Sequence, residues 1–324
     1  MEFRLPLSVR PSVEKIGMGD PILLTGSCFT DHMASQLRNY RYPVLENPNG
    51  ILFNPFSIAH SLTSCMNARK YTTDDIFEQD GVWHSWQFHS RFSSTISQET
   101  IDRMNSSHGE AHQFLQDSKW IIITLGSAFV YQHPVAGIVA NCHKVPTDRF
   151  QKRLLGQNEM FRELDEVFTK LFRFNPRLRI ILTISPVRHL RDGFIENNQS
   201  KAALITAVHA LVHSHPSVHY FPAYELVMDD LRDYRYFAED MVHPNYLATR
   251  YVWEKFVQTY MDDPTQELMK KINAINVARS HKPFQPNSTA HRRFMDQYLE
   301  LSRQLQVNHP SLDFSQDIKY FSSN

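Results

Sequence analysis

The chain has few cysteines and few glycines for its 324 residues. Its three cysteines, Cys28, Cys65 and Cys142, are not closely spaced, so neither a disulfide framework nor a four-cysteine zinc site is expected. Reduced thiols of this kind are typical of a cytosol-like compartment. Ten glycines leave little scope for flexible linkers. These absences favour a globular fold in a reducing compartment.

The chain also lacks net charge and the motifs of nucleotide binding. Lys and Arg together number 34, as do Asp and Glu. The overall positive field that attracts nucleic acid or an anionic membrane is therefore missing. There is no Walker loop, no GxGxxG motif and no repeated basic and aromatic pattern. We expect neither a nucleic acid partner nor a cofactor.

Long hydrophobic runs are missing too. The most apolar stretch, residues 120–130, is too short and too polar to span a bilayer. The N-terminal segment carries scattered charges and no apolar core, unlike a secretory signal. With 42% apolar and 21% charged residues, the composition is that of a soluble globular protein. We expect a cytoplasmic protein with no membrane partner.

Short apolar runs bounded by turn residues predict five strands. Their continuous apolar character is typical of strands that are buried on both faces of a parallel sheet. Stripes of apolar residues at helical spacing lie between them, and this alternation predicts a doubly wound α/β sheet, whose site lies beyond the carboxyl ends of the strands. The predicted strands are Ile22–Thr25, Pro43–Leu45, Trp120–Leu125, Arg179–Ile184 and Val218–Phe221. The helical stripes begin at Phe29, Phe161, Leu204 and, after Pro244, at Leu247.

Two regions depart from this alternation. Residues 71–112 are rich in His, Trp, Ser and Phe and are predicted to be an irregular insertion. From about residue 280 the chain turns polar, with one helical stretch near Arg293–Leu305 and a tail expected to pack peripherally or be mobile. We therefore predict a main domain over residues 1–279 and a C-terminal extension over residues 280–324.

Ser27 is the first candidate for chemistry, because it follows the first predicted strand and precedes a helix. Such a turn exposes a hydroxyl beside backbone N–H groups that favour developing negative charge. The alternative is that Ser27 only caps the helix. Its neighbour Cys28 is a rival nucleophile or simply a small buried side chain.

Asp240 and His243 form the second candidate, just before the last long helix of the main domain. Because the two residues are three positions apart, one turn can bring the carboxylate to the imidazole. The carboxylate then fixes the tautomer of the ring, and the other ring nitrogen can act as a base. A loop salt bridge or capping pair is the alternative. A serine needs such a base to become nucleophilic, so we expect the Ser27 hydroxyl to lie about 2.6–3.2 Å from a nitrogen of His243.

Seven segments in order resemble the GSCFA-domain family within the SGNH/GDSL hydrolase superfamily. The resemblance implies a three-layer α/β/α, flavodoxin-like fold and hydrolysis or transfer of an acyl group. It assigns Ser27 as nucleophile, His243 as base and Asp240 as the acid that orients it. The segments are GSCFT (26–30), NPNGILFNPFSI (47–58), HSWQFHSRFS (84–93), TLGSAFVY (124–131), NCHKVP (141–146), SPVRHLRDG (185–193) and RDYRYFAEDMVHP (232–244).

The resemblance also implies an oxyanion hole, made by the Ser27 N–H, a glycine after the second strand and an asparagine after the third. Gly50 matches the glycine. The third strand is followed by Gly126-Ser127-Ala128, so Asn141 is the nearest candidate for the asparagine. Loss of one such donor costs about 3–4 kcal/mol in a transition state.

Further candidates lie in the insertion and after the fourth strand. His84, Trp86 and His89 interleave aromatic and polar groups, as a sugar-stacking or acyl-binding wall does, or they form an aromatic lid. Arg188, His189 and Arg191 are placed at the carboxyl edge of the sheet, where an arginine could bind a carboxylate or phosphate group of the substrate, with a surface salt bridge as the alternative. His84, His89 and His143 lack the carboxylate or cysteine of a familiar metal site, so no metal is expected.

The residues and the resemblance together predict a serine esterase that forms an acyl-serine intermediate on a small-molecule or glycan ester. O-acylated glycans are expected as the substrate on the family resemblance and the aromatic insertion alone. The alternatives are an acyltransferase with the same residues and a non-catalytic, glycan-binding relative. No motif predicts the oligomeric state.

Overall fold

A computed structural model describes residues 5–286 and 288–323. The described strands are β1 (Ile22–Gly26), β2 (Val44–Glu46), β3 (Phe77–Gln79), β4 (Val82–His84), β5 (Trp120–Leu125), β6 (Phe129–His133), β7 (Gly137–Val139), β8 (Gln151–Leu154), β9 (Arg179–Ile184) and β10 (Val218–Phe221). The described α-helices are α1 (Phe29–Asn39), α2 (Pro55–Met66), α3 (Ser97–Asp117), α4 (Gln157–Phe174), α5 (Phe194–Ser214), α6 (Ala223–Glu225), α7 (Tyr246–Tyr260), α8 (Asp263–Ser280), α9 (Thr289–Asn308) and α10 (Ser315–Ser322).

The central sheet has the order β2-β1-β5-β9-β10, and every neighbouring pair is parallel. All five predicted strands are confirmed, with ends that differ by one residue at most. Residues that alternate along a strand point to opposite faces. Leu23 and Ile121 pack with α2, α4 and α5, whereas Leu24 and Ile122 pack with α1 and α7. The predicted three-layer α/β/α architecture is therefore confirmed.

The insertion is only partly irregular. Residues 71–96 hold short turns and the β3–β4 hairpin, but α3 begins at Ser97, so the prediction of irregular structure over residues 97–112 is wrong. Ile101, Met104, His108 and Ala111 keep helical spacing on the buried face of α3. Histidine and alanine make that stripe weakly apolar, which hides the helix from a hydrophobicity pattern.

A second, antiparallel sheet of three strands, in the order β7-β6-β8, follows β5 and was not predicted. Its strands are short and largely half-exposed or exposed, so they lack the continuous apolar character of the central strands. Three residues connect the end of β5 to β6. The small sheet therefore begins directly at the carboxyl edge of the central sheet, where a site is expected.

The C-terminal region is helical and packed. The stretch predicted near Arg293–Leu305 is confirmed within α9, whereas α8 and α10 were not predicted. Apolar side chains of α8, α9 and α10 form a separate core cluster. The buried Asp317 carboxylate holds α10 by pairing with Arg41 at 2.7 Å and with Arg279 at 3.0 Å. The described part of the predicted tail is thus packed against the molecule, and α8 shares its core.

Among the described residues, no helix is both long enough and apolar enough to cross a membrane.

Candidate active site

Ser27 lies where the sequence places it, in the turn between β1 and α1. Its N–H donates to the carbonyl of Thr124 at 3.0 Å, which ties the turn to β5. The preceding Gly26 has a φ of +139°, and a Cβ there would lie 2.2 Å from the Thr124 carbonyl oxygen. Only glycine fits a backbone that approaches its neighbour this closely. The Gly-Ser pair therefore allows Ser27 to sit against the end of β5.

The Ser27 hydroxyl is buried and has no hydrogen-bond partner among the described residues. It does not cap α1, because Cys28 occupies the cap position and no side chain caps that helix. A buried hydroxyl without a partner costs about 1–3 kcal/mol, and such groups in native structures call for an explanation, a catalytic role among them. The capping alternative therefore finds no support in the geometry.

Asp240 and His243 form a tight pair. His243 Nδ1 lies 2.6 Å from Asp240 Oδ2, and Asp240 Oδ1 accepts the backbone N–H groups of His243 and Val242, both at 2.9 Å. These backbone hydrogen bonds and the imidazole lower the pKa of the Asp240 carboxyl to about 2. An ionised carboxylate at Nδ1 fixes the proton on that nitrogen, which leaves the Nε2 lone pair available as a base.

The turn that forms this pair is strained, and the pair is accessible. Met241 has a φ of +57°, in the left-handed region that a methionine seldom adopts. The side chains of Asp240 and His243 are each 50% exposed. Strained turns are maintained at functional sites when the surrounding structure holds them.

The segments that follow the two candidates in the chain meet at the start of α1. Phe29 and His32, from the first turn of α1, share a cavity of about 180 Å³ with Pro244 and Tyr246. Because the Ser27 hydroxyl has no partner among the described residues, the predicted hydrogen bond to His243 is not formed in this structure. The Asp240–His243 pair is thus formed, whereas the hydrogen bond that would connect it to Ser27 is not.

The backbone donors assigned to the oxyanion hole are already engaged. The Gly50 N–H closes a turn on the Asn47 carbonyl at 2.7 Å, and the Ser27 N–H is taken by Thr124 as described above. Asn141 uses its Oδ1 to accept the His143 N–H at 2.9 Å. The predicted hole is therefore not open in this conformation, because two of its three donors, the Ser27 and Gly50 N–H groups, already donate to backbone carbonyls.

The sequence reasoning missed two asparagines: Asn47 holds the turn at Ser27, and Asn49 ties the same segment to α3. Asn47 Oδ1 accepts the Gly26 N–H at 2.9 Å, and Asn47 Nδ2 donates to Asp31 of α1 at 2.8 Å. Asn49 Oδ1 lies 2.8 Å from His108 Nε2. The only signal in the sequence was the Asn-Pro-Asn-Gly turn itself, which does not indicate what the amides contact.

Arg188 packs toward the Asp240 segment. Its guanidinium lies over the Phe237 ring at 4.7 Å and the Tyr234 ring at 5.6 Å from their centroids. The proposed surface salt bridge is not seen among the described residues, and Arg188 Nη1 is buried without a partner. Arg188 therefore supports the segment before the dyad by cation–π contact.

His189 lies beside the end of β5. Its ring meets Phe53 edge-on at 5.1 Å, and its Nε2 is buried without a partner among the described residues. Burial and the charge of Lys201 lower the pKa of His189 to about 4, so its ring is neutral near pH 7.

Lys201 is a further residue that the sequence reasoning missed. It lies on α5 and is 1% exposed, and its Nζ donates to the carbonyls of Gly126 and Ser185, each at 2.7 Å. It thereby joins the ends of β5 and β9. Burial lowers the pKa of Lys201 to about 7. A lysine on the same helical stripe as Leu204 and Val208 was the signal that could have identified it.

The aromatic insertion is mostly packed on itself. Trp86 stacks on Phe77 at 3.7 Å and on His133 at 4.9 Å, and the His84 ring lies 4.4 Å from that of His143. His84 Nδ1 also lies 2.7 Å from Ser93 Oγ. This packing favours the aromatic-lid alternative for His84 and Trp86. By contrast, His89 lines the larger cavity described below.

No group of three or more His, Cys, Asp or Glu residues within the described part of the chain is arranged to hold a metal ion.

Cys28 is not a favourable nucleophile. Burial, with the Asp31 carboxylate as a further cause, raises the pKa of its thiol. The reactive form of a cysteine is the thiolate, so the thiol form present near pH 7 is unreactive. Ser27 remains the better candidate of the two.

The comparisons with known proteins cover most of the chain. The model of the GSCFA family matches residues 21–256, and that of the "GSCFA domain protein, C-terminal domain" matches residues 272–324. No curated protein matches. Similar solved structures include a candidate platelet activating factor from Streptococcus pneumonia, at 13% identity and a TM-score of 0.39, covering 73% of this chain and 82% of that chain. They also include an acetyl xylan esterase (Est2A) from the rumen bacterium Butyrivibrio proteoclasticus, at 11% identity and a TM-score of 0.38, covering 83% of this chain and 66% of that chain. The family match extends from the strand before Ser27 to the helix after His243, and the chain therefore belongs to the GSCFA family.

Proposed function

We propose that the protein is an acyl-ester hydrolase of the SGNH type, with Ser27 as nucleophile, His243 as general base and Asp240 as the acid that orients His243. The observation that carries the proposal is the Asp240–His243 pair, with its 2.6 Å hydrogen bond and its accessible ring. Pro244, which follows His243, shares a cavity with Phe29, which lies two residues after Ser27, and this supports the same assignment.

The reaction has two halves, acylation and deacylation of Ser27, and His243 accepts and returns a proton in each. Ser27 Oγ attacks the ester carbonyl carbon while its proton passes to His243 Nε2. The tetrahedral intermediate collapses, the ester C–O bond breaks, and the alcohol leaves with the proton from His243. Water then gives a proton to His243 and attacks the acyl-serine, and the carboxylic acid leaves as the proton returns to Ser27. Asp240 stays ionised throughout, as its low pKa requires.

The structure described here needs a rearrangement before this reaction can begin. The Ser27 hydroxyl is buried, and the Ser27 and Gly50 N–H groups are occupied. Rotation of the serine side chain toward His243 and release of at least one N–H would complete the site. We therefore expect slow turnover of small esters that do not themselves drive this change.

The same observations favour a second candidate, a non-catalytic relative that binds an ester-bearing glycan. A buried Ser27 hydroxyl, and Ser27 and Gly50 N–H groups that are bonded to backbone carbonyls, are compatible with a protein that keeps the fold but does not catalyse the reaction. The two candidates differ in whether Ser27 ever becomes nucleophilic, which is open to a direct chemical test.

That test combines covalent labelling with turnover. The wild-type protein should react with a fluorophosphonate at Ser27 and hydrolyse p-nitrophenyl acetate, and Ser27→Ala and His243→Gln should lose both activities. Cys28→Ala is the matched control, because it alters the neighbouring residue and should retain both. Ser27→Ala removes only a partnerless hydroxyl, so its melting temperature should stay within a few degrees of wild type. Turnover that survives Ser27→Ala, or label on another residue, would exclude the mechanism.

A further inference from the structure

A cavity of about 520 Å³ lies between the carboxyl edge of the central sheet and the small β6–β7–β8 sheet. We call it the edge cavity. Its walls combine aromatic rings with polar side chains, as binding sites for small molecules do. The lining residues that matter here are Phe53, Phe129, Tyr131, Asn141, His143 and His189.

The edge cavity adjoins the strand end next to Ser27. The N–H groups of Gly126 and Ser127 both donate to the Phe53 carbonyl, at 2.8 and 3.0 Å. A Cβ at Gly126 would meet Phe53 at 3.0 Å and His189 Nε2 at 3.2 Å. These two lining residues are thus packed onto the end of β5, the strand to which the Ser27 N–H is bonded. A ligand in the cavity would lie one strand away from the serine.

The charge of the lining is positive. Lys144 and Arg191 line the cavity and are exposed, and their side chains form no ion pair or hydrogen bond with any described residue. The acidic side chain of the lining, Asp192, is neutralised by an ion pair with Lys152. The Lys152 ammonium in turn lies 4.4 Å from the centroid of the Phe129 ring. Two uncompensated cations therefore face any ligand that enters.

The backbone that presents Lys144 is fixed in an unusual conformation. His143 and Lys144 have φ values of +49° and +63°, so two consecutive residues other than glycine adopt the left-handed region. Each such residue costs of the order of 1 kcal/mol and is retained only where the surroundings impose it. This turn holds Lys144 at the cavity.

One lining residue, His143, is held in place by a backbone carbonyl. His143 Nε2 lies 2.8 Å from the Ser85 carbonyl, so that nitrogen carries the proton and Nδ1 is an acceptor. Burial lowers the pKa of His143 to about 4, which keeps the ring neutral. The Nδ1 atom is buried and has no partner among the described residues.

We propose that the edge cavity binds an anionic, hydroxylated part of the substrate, namely a sugar bearing a carboxylate or a phosphate. The assignment rests on the proposed function, because it places the ester of such a sugar beside Ser27. Lys144 and Arg191 bind the anionic group, and the aromatic rings pack against the sugar. The two anions share this chemistry, and the choice between them is a matter for experiment.

Calorimetric binding to the otherwise complete Ser27→Ala protein tests the proposal without requiring turnover. The probes are methyl β-D-glucuronide for the carboxylate, glucose 6-phosphate for the phosphate and methyl β-D-glucoside as the neutral sugar. We expect at least one anionic sugar to bind about tenfold more tightly than the neutral one. If one anionic sugar binds more tightly than the other, its anionic group, carboxylate or phosphate, is the one that the cavity prefers.

A second set of binding measurements removes the positive charges of the cavity one at a time. Adding Lys144→Gln or Arg191→Gln should weaken the binding of the anionic sugar about fivefold each, the range expected for exposed charge-assisted contacts. Lys271→Gln, an exposed cation on α8, is the matched control and should change nothing. Higher salt should weaken the binding as well.

Equal binding of all three sugars, binding of none of them, or unchanged affinity in both cavity variants would overturn the proposal. These outcomes are independent of the ester chemistry. Absence of labelling at Ser27 together with charge-dependent sugar binding would remove the proposed hydrolase and leave the edge cavity as a binding site.

Discussion

Acid should destabilise this protein through a histidine that must stay neutral, His108. It is 0% exposed on α3, its Nε2 lies 2.8 Å from Asn49 Oδ1, and its Nδ1 lies 3.1 Å from the Tyr71 hydroxyl. Because a carboxamide oxygen only accepts, Nε2 must donate, and Nδ1 then accepts from the tyrosine. Protonation of Nδ1 would break the second contact and place a charge in the core. Burial accordingly lowers the pKa of His108 to about 3.

The sign and size of the effect follow from proton linkage. Below its ordinary pKa of about 6.5, the unfolded chain binds a proton at this histidine that the folded protein does not, so the free energy of unfolding falls as pH falls. With a folded pKa of about 3, the loss between pH 7 and pH 5 is about 2 kcal/mol from His108 alone. The neutral histidines at positions 143 and 189 act in the same direction.

Urea unfolding followed by circular dichroism at pH 7, 6 and 5 measures this loss. His108→Gln retains an amide donor for Asn49 but cannot titrate, so its free energy of unfolding should fall by about 2 kcal/mol less than that of wild type over the same range. Ser61→Ala is the matched control, because Ser61 donates to the same Asn49 oxygen and has no titrating group near these pH values. It should lower stability equally at every pH. An identical pH dependence in wild type and His108→Gln would refute the reasoning.

Three further changes have defined outcomes. Gly26→Ala forces a Cβ to within 2.2 Å of the Thr124 carbonyl oxygen, so the protein should fail to fold or lose several degrees in melting temperature in a thermal scan. Lys201→Met removes a buried amine whose pKa is lowered to about 7. Between pH 7 and pH 9 the unfolding free energy of wild type should rise by about 2 kcal/mol more than that of the variant, because the folded protein loses this proton and the unfolded chain keeps it. An equal change in both proteins would contradict the burial of Lys201. Asp317→Asn removes the carboxylate that pairs with Arg41 and Arg279. The loss of these charged hydrogen bonds should cost about 2–3 kcal/mol and speed amide exchange selectively in α10. Unchanged exchange in α10 would show that the ion pairs are dispensable.

The architecture was readable from the sequence because the central strands are buried on both faces. Trp120–Leu125 and Arg179–Ile184 are continuous apolar runs whose ends match the observed strands. Helices that cover such a sheet show clear apolar stripes, as α4 and α7 do. The elements that were missed lack that signal: α3 buries histidine and alanine, and the β6–β7–β8 strands are mostly exposed or half-buried.

The candidate site divides in the same way. The Asp240–His243 pair is predictable because three residues of a single turn bring the two side chains together. Ser27 is predictable as the residue in a strand-to-helix turn. The closure of the oxyanion turns by Thr124 and Asn47 is not, because it depends on backbone groups that sequence patterns do not encode.

The amino-acid sequence by itself determined the layered sheet, the position of Ser27 and the local dyad, since each depends on residues close together in the chain. Only the tertiary structure decided that Lys201 joins two strand ends, that the serine hydroxyl is sealed from the dyad, and that Lys144 and Arg191 face one cavity. These are contacts between segments far apart in the chain, and the packing of the core, rather than any local pattern, brings such segments together.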